Sequence, residues 1–237
     1  MRSVPGAALL SLTLVGIALA LIGYLHAVSG VSPVSGMVSD YVFTPVGAVL
    51  LPVAVLVLAA GLMVLRRALI AAGAAGRVSA TLLVTAALGA ALIGLFRADP
   101  TGAPVTTTGF VHKLSGGLLF GSVPAAAWAL AAGTRWRPLA RPLRWLAGAS
   151  AVLFAGFLAS YLPLFGMPFP GGDALVSVQG LLERLVLAPE LALVVLLAVA
   201  VARMRPARRG AVAARGVPLP VPDGPAPAEP IRTEVQR

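Results

Sequence analysis

Long apolar runs separated by short polar stretches dominate the chain. Six of these runs are long enough to cross a bilayer, whose hydrocarbon core takes about 20 helical residues. They cover about residues 5–26, 44–65, 78–96, 110–132, 143–164 and 181–202. The pattern predicts an all-α polytopic membrane protein, a six-transmembrane-helix bundle. No internal repeat is evident, so the sequence gives no support to an inverted-repeat transporter fold.

Composition agrees with a membrane protein. Hydrophobic residues make up 59% of the 237 residues, charged residues make up 11%, and the mean hydropathy is +0.95. Soluble domains carry about 25% charged residues. The net charge of +10 would suggest nucleic-acid binding in a soluble chain, but arginines flanking membrane spans explain it here, so we expect no nucleic-acid partner. Cysteine is absent, which excludes disulfides, thiol nucleophiles and cysteine metal sites.

The distribution of arginine predicts the orientation in the membrane. On one side of the six-span arrangement, the only arginine or lysine residues are Arg97, Lys113 and Arg184. The other side carries Arg2, Arg66, Arg67, Arg77, Arg135, Arg137, Arg141, Arg144, Arg203, Arg205, Arg208, Arg209 and Arg215. The positive-inside rule therefore predicts that both termini are cytoplasmic. Arginine heavily outnumbers lysine, since Lys113 is the only lysine, and Ala, Gly and Val are abundant. This composition indicates a bacterial genome of high GC content, so we expect a multi-pass protein of the bacterial cell membrane.

The two ends of the chain are predicted to differ. The first run ends near Ala27-Val28-Ser29, which is similar to a signal-peptide cleavage site. Its apolar stretch is longer than the roughly 7–15 residues of a signal peptide, so we expect an uncleaved signal anchor. Residues 1–203 are predicted to form the transmembrane domain. Residues 204–237 are first basic and then proline-rich, which predicts a disordered cytoplasmic tail.

Ionisable and aromatic residues far apart in sequence fall at the outer ends of the predicted spans. In chain order they are Asp40, Tyr41, Arg97, Asp99, His112, Glu183 and Arg184. Because the topology brings these ends together, we expect an outward-facing ligand-binding pocket with Glu190 at its floor. Glu183 and Glu190 lie two nearly complete turns apart and point to roughly the same side. Arg184 is turned away from them, and its expected partner is Asp40 or Asp99.

Glu190 lies near the predicted midplane of the sixth span, directly after Pro189. An unpaired charge at that depth costs between about 3 and more than 10 kcal/mol. We therefore expect Glu190 to be protonated or to face a partner inside the bundle. The proline is expected to kink the helix beside it.

Two further patterns concern packing. The motifs Gly117-x-x-x-Gly121 and Gly156-x-x-x-Ser160 have the spacing that lets helices approach closely. The loop before the sixth span contains Phe165, Met167 and Phe169 among prolines and glycines. This loop is either a lid in the headgroup region or an ordinary interfacial loop.

The order of the polar motifs is similar to that of a known family. The motifs are Ser39-Asp40-Tyr41, Phe96-Arg97-Ala98-Asp99-Pro100, His112 and Glu183-Arg184. Together they resemble the uncharacterised six-helix bacterial membrane family catalogued as domain of unknown function 998, over about residues 5–203. The resemblance implies a six-helix bundle and brings no established activity. Arg97 departs from the family pattern, in which proline commonly stands at that position.

Each candidate residue also has a purely structural interpretation. Asp40 and Asp99 have the positions of helix caps or interfacial charges. His112 has the position of a hydrogen-bonded interfacial residue, and Lys113 that of a residue whose amine reaches the headgroups. Glu183 and Arg184 would equally well form an ion pair between helices.

Three functions remain open from the sequence. The first is a module that binds or transports a lipid headgroup or small solute, with Glu190 gaining and losing a proton. The second is a structural or accessory membrane subunit. The third is an intramembrane enzyme with Asp40, Asp99, His112 and Glu183 as metal ligands or acid–base groups.

The expected partners and cofactors are few. The chain has only two histidines, which excludes three-histidine hydrolase sites and the paired-histidine sites of two-haem cytochromes. We expect no cofactor and no bound metal. The expected partners are membrane lipids and a lipid or small-molecule ligand.

Overall fold

The computed structural model describes residues 4–100, 103–163, 166–167 and 170–204, and these residues form helices and loops with no strand. Within these residues, six helices are long and apolar enough to cross a membrane: Val4–Val28, Gly47–Ala71, Arg77–Leu95, Thr107–Ala131, Thr134–Ala159 and Gln179–Arg203. The predicted all-α, six-span membrane fold is confirmed. The predicted cytoplasmic location of both termini stays a prediction.

The helices are numbered in chain order. They are α1 (Val4–Val28), α2 (Gly47–Ala71), α3 (Arg77–Leu95), α4 (Thr107–Ala131), α5 (Ala140–Ala159), the short α6 (Gly172–Ser177) and α7 (Gln179–Arg203). A 3-10 helix, Val38–Phe43, lies in the α1–α2 loop, and a second one, Thr134–Leu139, leads directly into α5. The fifth span therefore begins earlier than the sequence pattern predicted.

The long helices form a closed ring. Each packs against the next in the order α1, α2, α3, α4, α5 and α7, and α7 returns to α1. The connections after α1, α3 and α5 share one end of this ring, which carries Asp40, Asp99 and Glu183 and is called the carboxylate end. The connections after α2 and α4 share the opposite end, which is called the arginine end because Arg77, Arg137 and Arg141 lie there.

Close helix packing occurs at glycines other than the predicted ones. A Cβ atom added at Gly89 of α3 would lie 2.7 Å from the carbonyl oxygen of Ser115 on α4. By contrast, a Cβ atom at Gly117 or Gly156 would meet nothing within 4 Å, and one at Gly121 would make only an ordinary 3.9 Å contact. The predicted close-approach motifs at 117–121 and 156–160 are therefore wrong, because those faces are not pressed against a neighbouring backbone.

Side-chain hydrogen bonds join the ring at several levels. The Ser11 hydroxyl of α1 donates to the Gly61 carbonyl of α2 over 2.8 Å. At the arginine end, the indole of the buried Trp136 donates to the Ala74 carbonyl over 2.8 Å and so joins the second 3-10 helix to the α2–α3 loop. Pro189 lies inside the continuous helix α7.

Two predictions fall outside the described residues. The predicted disordered tail is one of them, apart from Met204. The other concerns Phe165 and Phe169 of the suggested lid, of which only Met167 is described.

Candidate binding site

The carboxylate end brings together side chains from distant segments. His112 Nδ1 lies 2.8 Å from the Phe96 carbonyl oxygen, which joins the start of α4 to the end of α3. Arg97 donates to the Val42 carbonyl over 3.2 Å, and its guanidinium lies 5.0 Å from the centre of the Phe43 ring. The first 3-10 helix therefore contacts the α3–α4 connection, as the topology predicted.

Arg184 anchors the α1–α2 loop to the first turns of α7. Its guanidinium donates to the carbonyls of Pro33 (3.1 Å), Gly36 (2.7 Å) and Gly180 (2.7 Å), and to the Tyr41 hydroxyl (2.8 Å). The predicted pairing of Arg184 with Asp40 or Asp99 is wrong. The reason is local, because the loop folds over the start of α7 and presents its carbonyl oxygens to the guanidinium.

The same loop packs closely on the α7 backbone. A Cβ atom added at Gly180 would overlap the Gly36 carbonyl oxygen. The Leu181 amide donates to the Val34 carbonyl over 2.9 Å, which satisfies one of the free amides at the helix start. Glycine at 180 is therefore required by the approach of the two backbones.

His26 is a site residue that the sequence interpretation missed. Its Nδ1 atom lies 2.8 Å from the hydroxyl of Tyr41, the same hydroxyl that accepts from Arg184. The Tyr41 side chain is fully buried. A hydrogen-bonded chain thus connects α1, the first 3-10 helix and α7. The available signal was the position of His26 at the end of the first span, on the same side as Tyr41.

Two carboxylates hold the first turn of the 3-10 helix. Glu183, which is only 8% exposed, accepts from the Val38 amide over 2.5 Å. Asp40 Oδ2 accepts from the Met37 amide over 2.8 Å. Asp40 Oδ1 is buried and has no hydrogen-bond partner among the described residues. Burial raises the pKa of Asp40 above its ordinary value, against the opposing effects of the Met37 amide and the positive charge of Arg184.

Asp99 supports the start of α4. It accepts from the Thr106 hydroxyl over 2.6 Å and from the Thr106 amide over 3.0 Å. Thr106 in turn caps α4 by accepting from the Gly109 amide over 3.1 Å. These hydrogen bonds from Thr106 hold the pKa of Asp99 below its ordinary value. Asp99 is therefore not the cap residue itself, but it holds Thr106, which is the cap.

A cavity of about 370 Å³ opens within the ring at this end. Its polar lining residues lie at the carboxylate end and are Ser39, Asp99, His112, Lys113, Tyr161 and Glu183. The rest of its wall is mainly apolar and includes Leu51, Val55, Ile93, Phe120, Phe154, Phe157, Leu158 and Leu187. The cavity is therefore amphipathic.

The other candidate residues lie around this cavity rather than on its wall. Asp40, Tyr41 and Arg184 hold the loop whose residues Met37 to Ser39 line it. Arg97 lines a smaller adjoining cavity of about 190 Å³ together with His112.

Glu190 is buried away from the cavity. It is 3% exposed and accepts from the Ser150 hydroxyl of α5 over 3.1 Å. The cavity follows α7 only along Glu183 and Leu187. The predicted position of Glu190 at the pocket floor is therefore wrong, because α5 closes against α7 at that depth. The expectation that Glu190 faces a partner inside the bundle agrees with the Ser150 contact.

The proposed metal ligands do not converge. Within the described ranges, no three His, Asp or Glu side chains are grouped so that they could hold a metal ion. The geometry therefore gives no support to the metal-dependent form of the enzyme hypothesis.

Comparison with known proteins identifies the family. Residues 12–200 match the family model described as "Protein of unknown function (DUF998)". No curated protein and no solved structure matches the chain. Because the match covers most of the chain, including every helix that lines the cavity, this integral membrane protein belongs to the DUF998 family.

Proposed function

We propose that this protein binds an amphipathic molecule, a membrane lipid or a lipid-like ligand. The apolar part of the ligand occupies the cavity inside the ring, and its polar head lies at the carboxylate end beside Lys113. The observation that carries the proposal is the division of one cavity wall into an apolar body and a polar end.

The cavity has a suitable size and chemistry for such a ligand. Small-molecule sites typically enclose about 300–1,000 Å³ and combine an apolar lining with a few polar groups, and this cavity encloses about 370 Å³. A polar solute placed along Val55, Phe120 and Phe157 would lose its hydrogen bonds to water without replacement, which costs several kcal/mol. An acyl or isoprenoid chain would lose nothing there. The apolar body therefore favours a lipid over the small polar solute.

The polar end offers groups that suit a lipid headgroup. Lys113 is exposed and supplies a cation at the mouth, while the Ser39 hydroxyl and the ring of His112 supply hydrogen-bonding atoms. Glu183 is turned toward the Val38 amide, so its carboxylate positions the loop wall. In this proposal Glu190 does not contact the ligand, and binding requires no transport step.

The test fills the cavity and measures the bound lipid. Gly117 lines the cavity and an added Cβ atom there meets nothing within 4 Å, so Gly117→Leu places a side chain in the ligand's space without a backbone clash. Gly16→Leu is the matched control, because Gly16 is exposed in α1 and its added Cβ atom also meets nothing within 4 Å. Both changes replace a helical glycine with leucine, so they share the effect on helix propensity.

The measurement is mass spectrometry of molecules that co-purify with gently extracted protein. We expect one lipid-like species to be enriched with the wild type and with Gly16→Leu, and to be lost from Gly117→Leu. Equal amounts with all three proteins would overturn the proposal, because the ligand would then lie elsewhere.

The accessory-subunit hypothesis has its own supporting observation. The hydrogen-bonded chain of His26, Tyr41 and Arg184 joins three segments of the bundle without contacting the cavity. If these hydrogen bonds serve only to stiffen a scaffold for a partner protein, no lipid should be enriched with the purified protein. The helix bundle should instead co-purify with a partner protein in stable stoichiometry.

A further inference from the structure

A second concave surface lies at the arginine end, between α4 and the start of α5. It encloses about 550 Å³, and its main lining side chains are Trp128, Arg137, Arg141, Arg144 and Trp145. We call it the arginine–tryptophan groove. It is remote from the amphipathic cavity, which lies near the start of α4, whereas Trp128 lies near the end of that helix.

The three arginines present a continuous cationic face. Their spacing of four and three residues places them on one side of the helical segment 134–159. All three are exposed. Arg144 makes one long contact of 3.4 Å with the Ala131 carbonyl, and Arg137 and Arg141 make no hydrogen bond with the described part of the chain. Most of their N–H groups are therefore free to bind a ligand.

No nearby carboxylate neutralises these charges within the described ranges. The acidic residues there are Asp40, Asp99, Asp173, Glu183 and Glu190. The first four belong to the carboxylate end, and Glu190 is buried against Ser150. An anion bound in the groove would relieve the repulsion among the arginines.

The two tryptophans indicate where the rest of the ligand lies. Trp128 is 54% exposed and Trp145 is 70% exposed on helices that cross the membrane, so their indoles face lipid. Tryptophan concentrates at the level of the headgroups, where its ring contacts both apolar chains and polar groups. A soluble phosphate would leave these rings without a partner, whereas a phospholipid would contact both the rings and the arginines.

We propose that the arginine–tryptophan groove binds the headgroup of an anionic phospholipid. The arginines hold the phosphate through charge-assisted, two-pronged hydrogen bonds, and the indoles flank the glycerol and the first part of the acyl chains. The groove is independent of the amphipathic cavity and of its ligand.

The tryptophans allow a direct test in bilayers. The chain contains three tryptophans, and the third, Trp136, is only 1% exposed. Lipids brominated in their acyl chains quench the fluorescence of indoles that they touch. Brominated phosphatidylglycerol diluted in ordinary phosphatidylcholine is compared with brominated phosphatidylcholine diluted in ordinary phosphatidylglycerol. We expect stronger quenching by the anionic lipid than its bulk fraction accounts for.

Matched variants locate the effect. The groove variant combines R137Q, R141Q and R144Q, and the control variant combines R67Q, R77Q and R135Q. Arg67, Arg77 and Arg135 are exposed residues at the same end outside the groove, so both variants lose three charges. We expect the preference for the anionic lipid to fall roughly fivefold per groove arginine and roughly 100-fold in the groove variant. The control variant should keep most of the preference.

Several results would overturn the proposal. Equal quenching by the two lipids in the wild type would do so, and so would equal losses in the groove and control variants. If excess soluble glycerol phosphate removes the preference for the anionic lipid, the groove binds a free phosphate instead. If the groove variant fails to fold, the combination R137K, R141K and R144K replaces it in the test, because lysine keeps the positive charge but cannot form the two-pronged hydrogen bonds. A weaker preference in that variant supports the groove, and an unchanged preference contradicts it.

Discussion

Replacing Arg184 with alanine should release the α1–α2 loop from α7. The side chain makes four hydrogen bonds, three to carbonyls and one to the Tyr41 hydroxyl. A buried hydrogen bond to a charged group contributes about 1.5–3 kcal/mol. Arg184 is half-buried, so water replaces part of each bond, and we take about half of the lower value. The Gly180 carbonyl belongs to α7 itself, so only the bonds to Pro33, Gly36 and Tyr41 hold the loop. The expected loss is therefore about 2 kcal/mol for these three bonds.

The assay is hydrogen–deuterium exchange of the loop amides in detergent or nanodiscs. The informative amides are those of Val38 and Leu181, because their hydrogen bonds join the loop to α7 and exist only while the loop is docked. A loss of about 2 kcal/mol should accelerate their exchange roughly 30-fold through local opening.

Arg97→Ala is the control, because Arg97 makes one hydrogen bond at the same end of the bundle and stacks on Phe43. We expect this change to destabilise the docked loop by about 1 kcal/mol and to accelerate exchange of the same amides roughly fivefold. Wild-type exchange rates in Arg184→Ala, or equal acceleration in both variants, would refute the assignment of Arg184 as the loop anchor.

Three further predictions follow from the same contacts. Gly180→Ala should lower the free energy of unfolding by about 2 kcal/mol, because the added methyl group meets a loop carbonyl. Gly156→Ala places its methyl group in open space and should not lower it. Equal melting temperatures of the two variants would contradict this. The Asp99–Thr106 contact lowers the pKa of Asp99 from 3.8, so its stabilising effect should be present above about pH 4 and be lost as pH falls through the lowered value. Asp99→Asn should remove that acid-dependent part of the melting curve, and an unchanged pH profile would argue against it. Glu190→Gln should leave co-purified lipid unchanged in mass spectra, because Glu190 does not line the cavity; loss of the lipid would place Glu190 in the site.

The fold was largely predictable from the sequence because membrane spans follow from apolar length alone. Boundaries were less predictable where arginine is involved. The second span was expected to stop at Leu65, yet α2 continues to Ala71. Arg66 remains within the helix because its guanidinium donates to the Ala80 carbonyl over 3.0 Å, and long cationic side chains readily reach polar surroundings from a helix end.

The residues that lie at the candidate site were more predictable from the sequence than the contacts that these residues make. Topology alone brings residues such as Asp40, His112 and Glu183 to one end of the bundle. The partners of each side chain depend on loop conformation and helix rotation, which apolar periodicity does not specify. The loop carbonyls that bind Arg184 become acceptors only when residues 33–36 fold over α7. Likewise, Ser150 faces Glu190 only in the rotation that α5 adopts.

The central claim is that an amphipathic ligand occupies the cavity, and an experimental density map of the protein in co-purified lipid tests it most directly. We predict elongated density that passes Gly117 and Phe157 and ends in a compact head near Lys113. A closed ring in which Phe120 and Phe154 fill the space, with no ligand density between the helices, would contradict the claim.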